Sequence, residues 1–440
     1  MGRVVVLGGG AVGEAFCAAY RTIDEDSPMT LVERNLIGGE CTYWACMPSK
    51  TLLRASELLA TARRTPGAAE AITGGLDVGR IFWWRDQVVE SHDDSGHVEW
   101  LEERDIEVAR GTGRVVRPGV LGVDGEELEY ERLVVATGST PALPPLPGLE
   151  QIEFWTNHEA TEASEAPESM VVIGAGPVGC ELGQFFARVG SRVTILDVHL
   201  RLLPREDPEA STMLGDAFRE EGIELRLGVP AERIEPPSRL RLEDGTVLDA
   251  ERLLVASGRI PNAKGLGLEQ LGIRFAGRGA IVVDERLQAA DNVWAIGDVN
   301  GIALLTHVGK YQARVAAVNV AGGEARADYR AIPAVTFTDP QIASVGTREG
   351  DGIVSTRRRL PSRASTYERP RPDGFLKLYA DAEQRVLVGA TAVGPEAGEW
   401  LQQLTLAIRA EVPVDVLRDT IQPFPTFSEA VTFAARELEL

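Results

Sequence analysis

Short apolar runs, each followed by a glycine-rich loop and an amphipathic stretch, occur at two places in the chain. In both places a second apolar run follows, and it ends at an acidic residue, Glu33 in the first and Asp197 in the second. This order predicts a βαβ unit at each place. The first unit comprises strand 3–7, loop 8–13, helix 14–20 and strand 29–32, and the second comprises strand 170–173, loop 174–179, helix 180–189 and strand 192–196.

The rest of the chain follows other patterns. Between the two units, the acid-rich segment 86–103 predicts one helix, and 107–125 predicts short strands joined by turns. Four prolines within 141–147 indicate a linker. Beyond residue 331 the pattern indicates an α+β domain. Its predicted elements are the strands 334–337, 375–379 and 387–393 and a helix at 396–410.

The net charge of the chain argues against some classes of binding partner. The 440 residues carry a net charge of −21, with a pI near 4.8. Nucleic-acid binders and proteins that adhere to anionic membranes need clustered lysine and arginine, so we expect neither partner. The apolar runs are far shorter than the about 20 residues of a membrane helix, and no signal-peptide pattern opens the sequence. We therefore predict a cytoplasmic protein without a membrane span.

Both glycine loops have the Gly-x-Gly-x-x-Gly spacing that is typical of dinucleotide binding. The first glycine makes a tight turn, the second lets the backbone approach a pyrophosphate, and the third allows close helix packing. An acid about 20 residues later hydrogen-bonds a ribose. The predicted sets are Gly8, Gly10, Gly13 and Glu33, and Gly174, Gly176, Gly179 and Asp197.

Two such sites imply two dinucleotides, most simply a flavin and a nicotinamide. Asp197 favours NADH, because a carboxylate repels the 2′-phosphate of NADPH. No arginine follows it directly, but Arg201 is near enough to keep NADPH open.

Cys41 and Cys46 are the cysteines closest together in sequence. On a regular helix they would rise about 7.5 Å and point apart, whereas a disulfide needs Cα atoms roughly 4.4–6.8 Å apart. A bond between them therefore requires a non-helical start, which Gly38 and Gly39 permit. The alternative is two buried thiols that merely pack.

The chain has only two other cysteines, Cys17 and Cys180, each on the predicted helix after a glycine loop. Four cysteines are too few for a disulfide-stapled secreted scaffold. We interpret Cys17 and Cys180 as packing residues. No His or Cys cluster supplies further ligands to the Cys41–Cys46 pair, so no metal site is predicted.

Together these motifs resemble those of the flavoprotein disulfide reductases. These FAD-dependent pyridine nucleotide–disulfide oxidoreductases include dihydrolipoamide dehydrogenase, glutathione reductase and mercuric reductase. The stretch Gly-Gly-Glu-Cys-(x4)-Cys-Met-Pro-Ser-Lys at 38–50 matches the family's redox-active disulfide motif. Residues 136–141, 257–262 and 295–298 match a second FAD motif, the end of the NAD domain and the flavin motif whose Asp binds the ribityl chain.

The resemblance covers essentially the whole chain and implies its fold. That fold is α/β, with two Rossmann-like nucleotide-binding domains plus a C-terminal α+β dimerisation domain, and the protein is expected to work as a homodimer. The implied domains are an FAD-binding domain at 1–150, an NAD(P)-binding domain at 151–260, a central domain completing the FAD site at 261–331, and an interface domain at 332–440.

Residue roles are implied by motif position. Cys41 resembles the interchange thiol that meets the substrate, and Cys46 resembles the charge-transfer thiol beside the isoalloxazine. Lys50 is expected near flavin N5, paired with Glu181 because an unpaired buried charge would be costly. Further expected cofactor contacts are Arg34, Gly39, Thr112, Gly113, Ala136, Thr137, Gly138, Gly258, Arg259, Gly297, Asp298, Leu305 and Thr306, the last two at the start of a helix that faces the flavin.

Three departures from the family pattern matter. The family's C-terminal His-Pro-Thr-x-x-Glu, supplied across the dimer, is replaced by a stretch in which Glu429 remains but Phe424 stands for the histidine. A histidine shuttles protons at neutral pH and a phenylalanine cannot. Pro177 replaces the aromatic residue that commonly covers the nicotinamide pocket. The C-terminal thiols and metal-binding extension typical of mercuric reductases are also lacking, which disfavours that substrate.

Three functions stay open on this basis. In the first, hydride passes from NADH via FAD to a Cys41–Cys46 disulfide and on to a small disulfide or thiol-reactive substrate. Glu429, water or the substrate then replaces the missing base. In the second, the flavin reduces a quinone or another electrophile directly, and Phe424 and Phe427 line an apolar acceptor pocket. A non-catalytic flavoprotein redox sensor is less favoured, because both nucleotide motifs are intact.

Overall fold

The computed structural model describes residues 2–360 and 374–440. Its helices are α1 Ala11–Arg21, α2 Gly39–Tyr43, α3 Cys46–Arg64, α4 Val78–Val88, α5 Ser95–Glu102, α6 Asn157–Glu162, α7 Pro177–Arg188, α8 Pro208–Glu220, α9 Thr306–Val320, α10 Ala397–Trp400, α11 Gln402–Arg409, α12 Val414–Asp419 and α13 Glu429–Glu437. Its strands are β1 Val4–Leu7, β2 Met29–Glu33, β3 Ile106–Arg110, β4 Gly113–Arg117, β5 Val120–Val123, β6 Glu126–Glu129, β7 Arg132–Val135, β8 Ser139–Pro141, β9 Ser169–Ile173, β10 Arg192–Asp197, β11 Glu224–Leu227, β12 Ala231–Glu235, β13 Arg239–Leu242, β14 Val247–Asp249, β15 Arg252–Val255, β16 Arg259–Pro261, β17 Phe275–Ala276, β18 Ala280–Ile281, β19 Gln288–Ala290, β20 Val293–Ala295, β21 Pro333–Thr336, β22 Gln341–Gly346, β23 Ile353–Arg359, β24 Phe375–Asp381 and β25 Val386–Gly394.

The chain folds into two compact units, each built from three segments. Unit 1 combines the chain up to Ser49 with Trp83–Ala142 and Gly258–Asp328, and unit 2 combines Lys50–Phe82, Leu143–Ser257 and Tyr329–Leu440. One crossing between units falls inside the proline-rich segment 141–147. The finer division into four domains stays a prediction.

The main sheet of unit 1 has the strand order β19-β20-β7-β1-β2-β3. The central strand β1 pairs in parallel with β2 and β7, placing Leu7 opposite Val32 and Val135. All four residues of β1 are buried, which explains why its sequence is continuously apolar instead of alternating. The loop after β1 therefore lies at the carboxyl edge of a parallel sheet, where nucleotides bind in such folds.

Unit 2 repeats this arrangement in a second parallel sheet, with the order β11-β10-β9-β15. Ile173 at the end of β9 lies opposite Leu196 and Val255 of its neighbours. Helix α7 buries Phe185 and Phe186 in the core beside this sheet. The two predicted βαβ units are therefore confirmed as strand, glycine loop, helix and strand.

The C-terminal part of unit 2 contains an antiparallel sheet with the order β21-β22-β25-β24-β23. Apolar residues of α10, α11 and α13 share one core with this sheet. The sheet of unit 1 is parallel except for its edge strand β19, the sheet β11-β10-β9-β15 is wholly parallel, and an antiparallel sheet with helices follows. These three sheets confirm the predicted fold class. In the part of the chain that the structure describes, no helix is long and apolar enough to cross a bilayer.

The single helix predicted over 86–103 is wrong. Helix α4 ends at Val88 and α5 begins at Ser95, with three consecutive residues of positive φ, Glu90, Ser91 and His92, between them. L-residues in that conformation do not continue a right-handed helix. The Asp93 side chain instead accepts a hydrogen bond from the Ser95 amide at 2.9 Å, so one acid of this acid-rich segment binds the first amide of α5. The helix predicted over 396–410 is likewise two helices, α10 and α11.

Candidate redox and nucleotide sites

The first glycine loop leaves space at one of its three glycines. A Cβ on Gly8, whose φ is +110°, would lie 2.4 Å from the Ala136 carbonyl oxygen, and a Cβ on Gly13 would lie 2.0 Å from that of Gly8. A Cβ on Gly10 would meet nothing nearer than Gly39 Cα, at 3.9 Å. The fold therefore requires the outer two glycines, whereas the middle one keeps open a cradle at the start of α1 that fits a pyrophosphate.

The second loop repeats this geometry in unit 2. A Cβ on Gly174 would lie 2.4 Å from the Ala256 oxygen, and a Cβ on Gly179 only 1.9 Å from the Gly174 oxygen. A Cβ on Gly176 would meet no atom within 4 Å. Pro177 takes the first position of α7, where a missing backbone N–H leaves no hydrogen bond unmade. The residues present thus fit a second dinucleotide.

The acid that ends each second strand is anchored to the loop of its own site. Glu33 accepts hydrogen bonds from the Gly9 amide at 2.7 Å and the Asn35 amide at 2.8 Å. Asp197 accepts one from the Ala175 amide at 2.6 Å. Each carboxylate is therefore held beside its glycine loop, where a ribose hydroxyl can reach it.

Cys41 and Cys46 approach each other across a break between two helices. Helix α2 ends at Tyr43 and α3 begins at Cys46, and Trp44 between them has φ −132° and ψ 0°. The two thiols are hydrogen-bonded to each other, and the Cys46 sulfur lies 3.4 Å from the Thr306 hydroxyl. Gly38 and Gly39 have φ of +101° and +61°, so the non-helical start that was expected there is present, although α2 is assigned from Gly39 onward. A second irregularity, at Trp44, lies between the two thiols.

The environment of the pair makes its two thiols unequal. The pKa of Cys41 is raised, first by its hydrogen bond to Cys46 and then by burial and by the negative charge on Cys46, while Thr306 and Lys310 act in the opposite direction. Cys46 is the first residue of α3, and a helix N-terminus favours a thiolate. The arrangement therefore suits a Cys46 thiolate that accepts a hydrogen bond from a protonated Cys41.

The other two cysteines are fully buried, and burial raises the pKa of both Cys17 and Cys180. Thiols in such surroundings are unreactive. All four cysteines are free thiols in this structure. The environments of Cys17 and Cys180 match the packing role inferred from the sequence.

A polar chain in unit 1 links Asp298 to the disulfide motif. Asp298 accepts a 2.6 Å hydrogen bond from the Ser139 hydroxyl, which in turn accepts one from Arg259 Nε at 2.7 Å. Arg259 also forms a 3.0 Å ion pair with Glu40, the residue before Cys41. Burial raises the pKa of Asp298, and the Ser139 hydrogen bond and the Arg259 charge partly offset this. Sequence reasoning missed Ser139 and Glu40, although both stand inside the quoted motifs.

In unit 2, Lys50 and Glu181 form the predicted ion pair, with 2.6 Å between Nζ and Oε2. The Glu181 side chain is 5% exposed, and its other oxygen accepts a 2.9 Å hydrogen bond from the Phe337 amide. Lys50 Nζ also lies 4.9 Å from the centre of the Phe337 ring. Phe337 therefore fixes both partners, and nothing in the sequence pattern pointed to it.

The remaining predicted cofactor residues are held by local contacts in unit 1. Thr112 donates its amide to Asp124 and Gly297 donates its amide to Gln312, at 3.0 and 2.7 Å. Leu305 caps α9, and Thr306 is its first residue, as predicted. Gly113 packs against Leu7, and the Ala136 amide donates a hydrogen bond to the Leu7 carbonyl. The Thr137 hydroxyl donates a hydrogen bond to the Asn262 carbonyl. Gly138 and Gly258 have positive φ, and the Arg34 side chain is exposed.

The C-terminal stretch is only partly as expected. Glu429 is the first residue of α13 and accepts a 3.3 Å hydrogen bond from the Thr426 amide. Phe424 is 78% exposed, but Phe427 is 7% exposed and stacks on Trp400 within the core. The expectation that Phe424 and Phe427 together line an acceptor pocket is therefore wrong for Phe427, because its ring is packed in the hydrophobic core. Over residues 2–360 and 374–440, no three His, Cys, Asp or Glu side chains are grouped to hold a metal ion.

Comparisons with known proteins agree with this geometry. Residues 2–325 match the model of the pyridine nucleotide-disulphide oxidoreductase family, and 332–435 match the family's dimerisation domain. The chain belongs to the pyridine nucleotide–disulphide oxidoreductase family and is an oxidoreductase. FAD and NAD(P)H are the cofactors of this family, and the dimerisation domain supports the predicted homodimer.

Among its relatives, the mercuric reductase of Acidithiobacillus ferrooxidans is 36% identical over 463 residues, covering 99% of this chain and 82% of that protein. Dihydrolipoyl dehydrogenase 2 of Haloarcula marismortui is 34% identical, covering 98% and 96%. The Cu(II) complex of the HOCl-induced flavoprotein disulfide reductase RclA from Escherichia coli superposes with a TM-score of 0.86, at 26% identity and 99% coverage of both chains.

Proposed function

We propose that this oxidoreductase transfers electrons from NADH through the Cys41–Cys46 pair to a small disulfide or thiol-reactive substrate. The observation that carries the proposal is the pair of hydrogen-bonded thiols across the break between α2 and α3. When bound, FAD supplies the two-electron chemistry that links NADH to a disulfide. Asp197, held beside the second glycine loop, favours NADH over NADPH.

The two thiols have different tasks in this scheme. Cys41, as the thiolate, attacks one sulfur of a substrate disulfide and releases the other sulfur as a thiol. Cys46 then attacks the Cys41 sulfur of the mixed disulfide, which releases the second substrate thiol and forms the Cys41–Cys46 bond. Two electrons thus leave the dithiol for each disulfide reduced. The Thr306 hydroxyl, 3.4 Å from the Cys46 sulfur, orients that thiol for the second step.

The proton of Cys41 is the chemical difficulty. Its pKa is raised, and Phe424 occupies the position of the family's histidine, so no imidazole there can remove the proton. Glu429, water or a basic substrate must therefore accept the proton of Cys41. A thiophilic acceptor that binds sulfur directly suits such a pair. Relatives named mercuric reductase and a neighbour solved as a Cu(II) complex support this general class of acceptor, whereas the missing C-terminal thiols disfavour Hg(II) itself.

A second candidate is direct reduction of a quinone or another electrophile by the flavin. It is favoured by Phe424, an exposed aromatic ring in place of the family's histidine. In that case the thiol pair would be dispensable for turnover. A non-catalytic sensor predicts negligible NADH oxidation with every acceptor. The cytoplasmic location stays a prediction.

Steady-state NADH oxidation by the FAD-loaded protein separates these functions. The acceptor panel contains small disulfides, thiophilic metal ions and quinones, and the variants are Cys41→Ser and, as a matched control, Cys17→Ala. We expect the Cys41→Ser variant to lose disulfide and metal-ion reduction and the control to keep them. If wild type reduces quinones only, and does so equally well as Cys41→Ser, the proposal fails.

A further inference from the structure

The loop after β10 contains a histidine whose ring faces the acid of the second nucleotide site. His199 Nδ1 lies 2.7 Å from Asp197 Oδ1, and the His199 amide donates to the same oxygen at 2.8 Å. The loop is fixed from behind, because the Gly228 amide donates to the carbonyls of both residues, at 2.9 and 2.8 Å. The first site has no such ring, since Asn35 stands two residues after Glu33.

The contact with Asp197 determines which ring nitrogen of His199 is available to a ligand. A carboxylate only accepts hydrogen bonds, so Nδ1 carries the proton of the neutral ring and Nε2 carries a lone pair. The Asp197 side chain is 12% exposed and that of His199 is 58% exposed, so the ring borders the space at the acid from the solvent side. In its neutral form it offers a phosphate a second electron-rich group beside a carboxylate.

Protonation reverses this situation. Nε2 becomes a donor, and the imidazolium balances the Asp197 charge, so the pair no longer repels an anion. Histidine is the side chain whose charge ordinarily changes between pH 5 and 8. Arg201 on the same loop is always charged and donates to the Pro204 carbonyl at 2.9 Å.

The charged residues of the neighbouring strand β11 pair with each other and do not alter the net charge near Asp197. Strand β11 lies beside β10 and contributes Glu224 and Arg226, which form an ion pair with each other at 2.5 Å. Ala175 and its glycine loop, on the other side of Asp197, contain no titratable group. The groups that set the charge at this acid are therefore Asp197, His199 and Arg201.

We propose that His199 is a specificity-determining residue that makes the choice between NADH and NADPH depend on pH, with the imidazolium recognising the 2′-phosphate of NADPH. The inference rests on the proposed assignment of the second glycine loop to the nicotinamide dinucleotide. At alkaline pH the site selects NADH through Asp197. As pH falls, NADP(H) gains affinity while NAD(H) changes little.

Calorimetric binding of NADP⁺ and NAD⁺ to the FAD-loaded protein at pH 6 and pH 8 tests this inference directly. In wild type we expect the ratio of NADP⁺ to NAD⁺ affinity to rise about tenfold at pH 6, the effect of one added charge-assisted hydrogen bond. A phosphate monoester itself titrates near pH 6, so the decisive comparison is His199→Gln. That variant leaves the ligand unchanged and removes the imidazole ring.

In His199→Gln only the pH effect of the 2′-phosphate's own titration is expected to remain, and the roughly tenfold rise expected for wild type at pH 6 is expected to be lost. Arg201→Gln is the matched control, expected to weaken NADP⁺ equally at both pH values and to keep the pH effect. An equal pH effect in wild type and His199→Gln would overturn the inference. NADH oxidation with ferricyanide, measured in parallel, reports on the proposed function separately. Absence of both oxidation and nucleotide binding would refute the site assignment, and this inference with it.

Discussion

Adding one methyl group at Gly176 distinguishes a glycine kept for a ligand from a glycine kept for the fold. No atom lies within 4 Å of the position that the Cβ of Gly176→Ala would take, and φ there is −77°. Alanine is a poorer helix N-cap than glycine by roughly 0.5–1 kcal/mol, and it stabilises by about 0.4–1 kcal/mol through the unfolded chain. These effects offset each other, so we expect the melting temperature to stay within about 2 °C of wild type.

The same methyl group would occupy the space through which a pyrophosphate approaches the backbone. Losing one charge-assisted hydrogen bond from an amide to phosphate costs about 1.5–3 kcal/mol, which corresponds to a roughly 10- to 150-fold weaker Kd. Calorimetry with NAD⁺ measures this loss, and the flavin absorbance reports whether FAD is retained.

Two further glycine variants serve as controls for this prediction. Gly10→Ala is expected to lower FAD content instead, with a similarly small effect on the fold. Gly179→Ala would place its Cβ 1.9 Å from the Gly174 oxygen and is expected to destabilise the protein itself. A Gly176→Ala protein that binds NAD⁺ as tightly as wild type would show that Gly176 is not part of the pyrophosphate site.

Three other perturbations test separate parts of the molecule. Because the pKa of Cys41 is raised and the thiolate is the nucleophile, disulfide turnover should rise steadily from pH 6 to pH 9; an optimum near neutrality would contradict this. Phe424→His restores an acid/base group and should raise disulfide turnover at pH 7 by at least about tenfold while leaving quinone turnover unchanged; equal effects on both acceptors would count against the assignment. Asp339 accepts 2.7 Å ion pairs from both Arg64 and Arg188, so Asp339→Asn should lower the free energy of unfolding in urea by about 3 kcal/mol; a loss below about 1 kcal/mol would show that the two arginines find other partners.

The stabilisation that Asp339 gains from Arg64 and Arg188 also depends on pH, and the sign of that dependence can be derived. Burial alone would raise the pKa of Asp339, but the charges of Arg188 and Arg64 outweigh it and lower that pKa. A lowered pKa means that the contribution to stability is fully present above the unfolded value, about 3.9, and is lost as the pH falls through the folded value. Urea unfolding at pH 7 and below pH 4 should therefore show wild type losing the advantage it has over Asp339→Asn.

The pattern of apolar runs and glycines was enough to predict the βαβ units, because a strand buried on both faces cannot alternate and a pyrophosphate site needs glycine at fixed spacing. Gly8 and Gly13 illustrate this, since each lies against backbone oxygen that excludes any side chain. The Lys50–Glu181 pair was also predictable, but only through the family resemblance. No local pattern connects residues 131 positions apart.

What the sequence did not predict depends on tertiary contacts. The break at Trp44 has no glycine or proline to mark it, and the turn at Glu90–His92 uses positive φ in residues that tolerate it poorly. Phe337 supports Lys50 and Glu181 from a distant strand end. Phe427 and Phe424 look alike in sequence, yet one lies in the core and the other in solvent, and only packing against Trp400 separates them.

Electrons from NADH are proposed to reach the Cys41–Cys46 pair. Alkylation of the FAD-loaded protein under anaerobic conditions, read out residue by residue with mass spectrometry, tests it before and after NADH is added. We expect the oxidised protein not to be alkylated at either residue, and we expect NADH to expose Cys41 to alkylation while the buried Cys17 and Cys180 stay unlabelled. Equal labelling of Cys41 with and without NADH would contradict the claim.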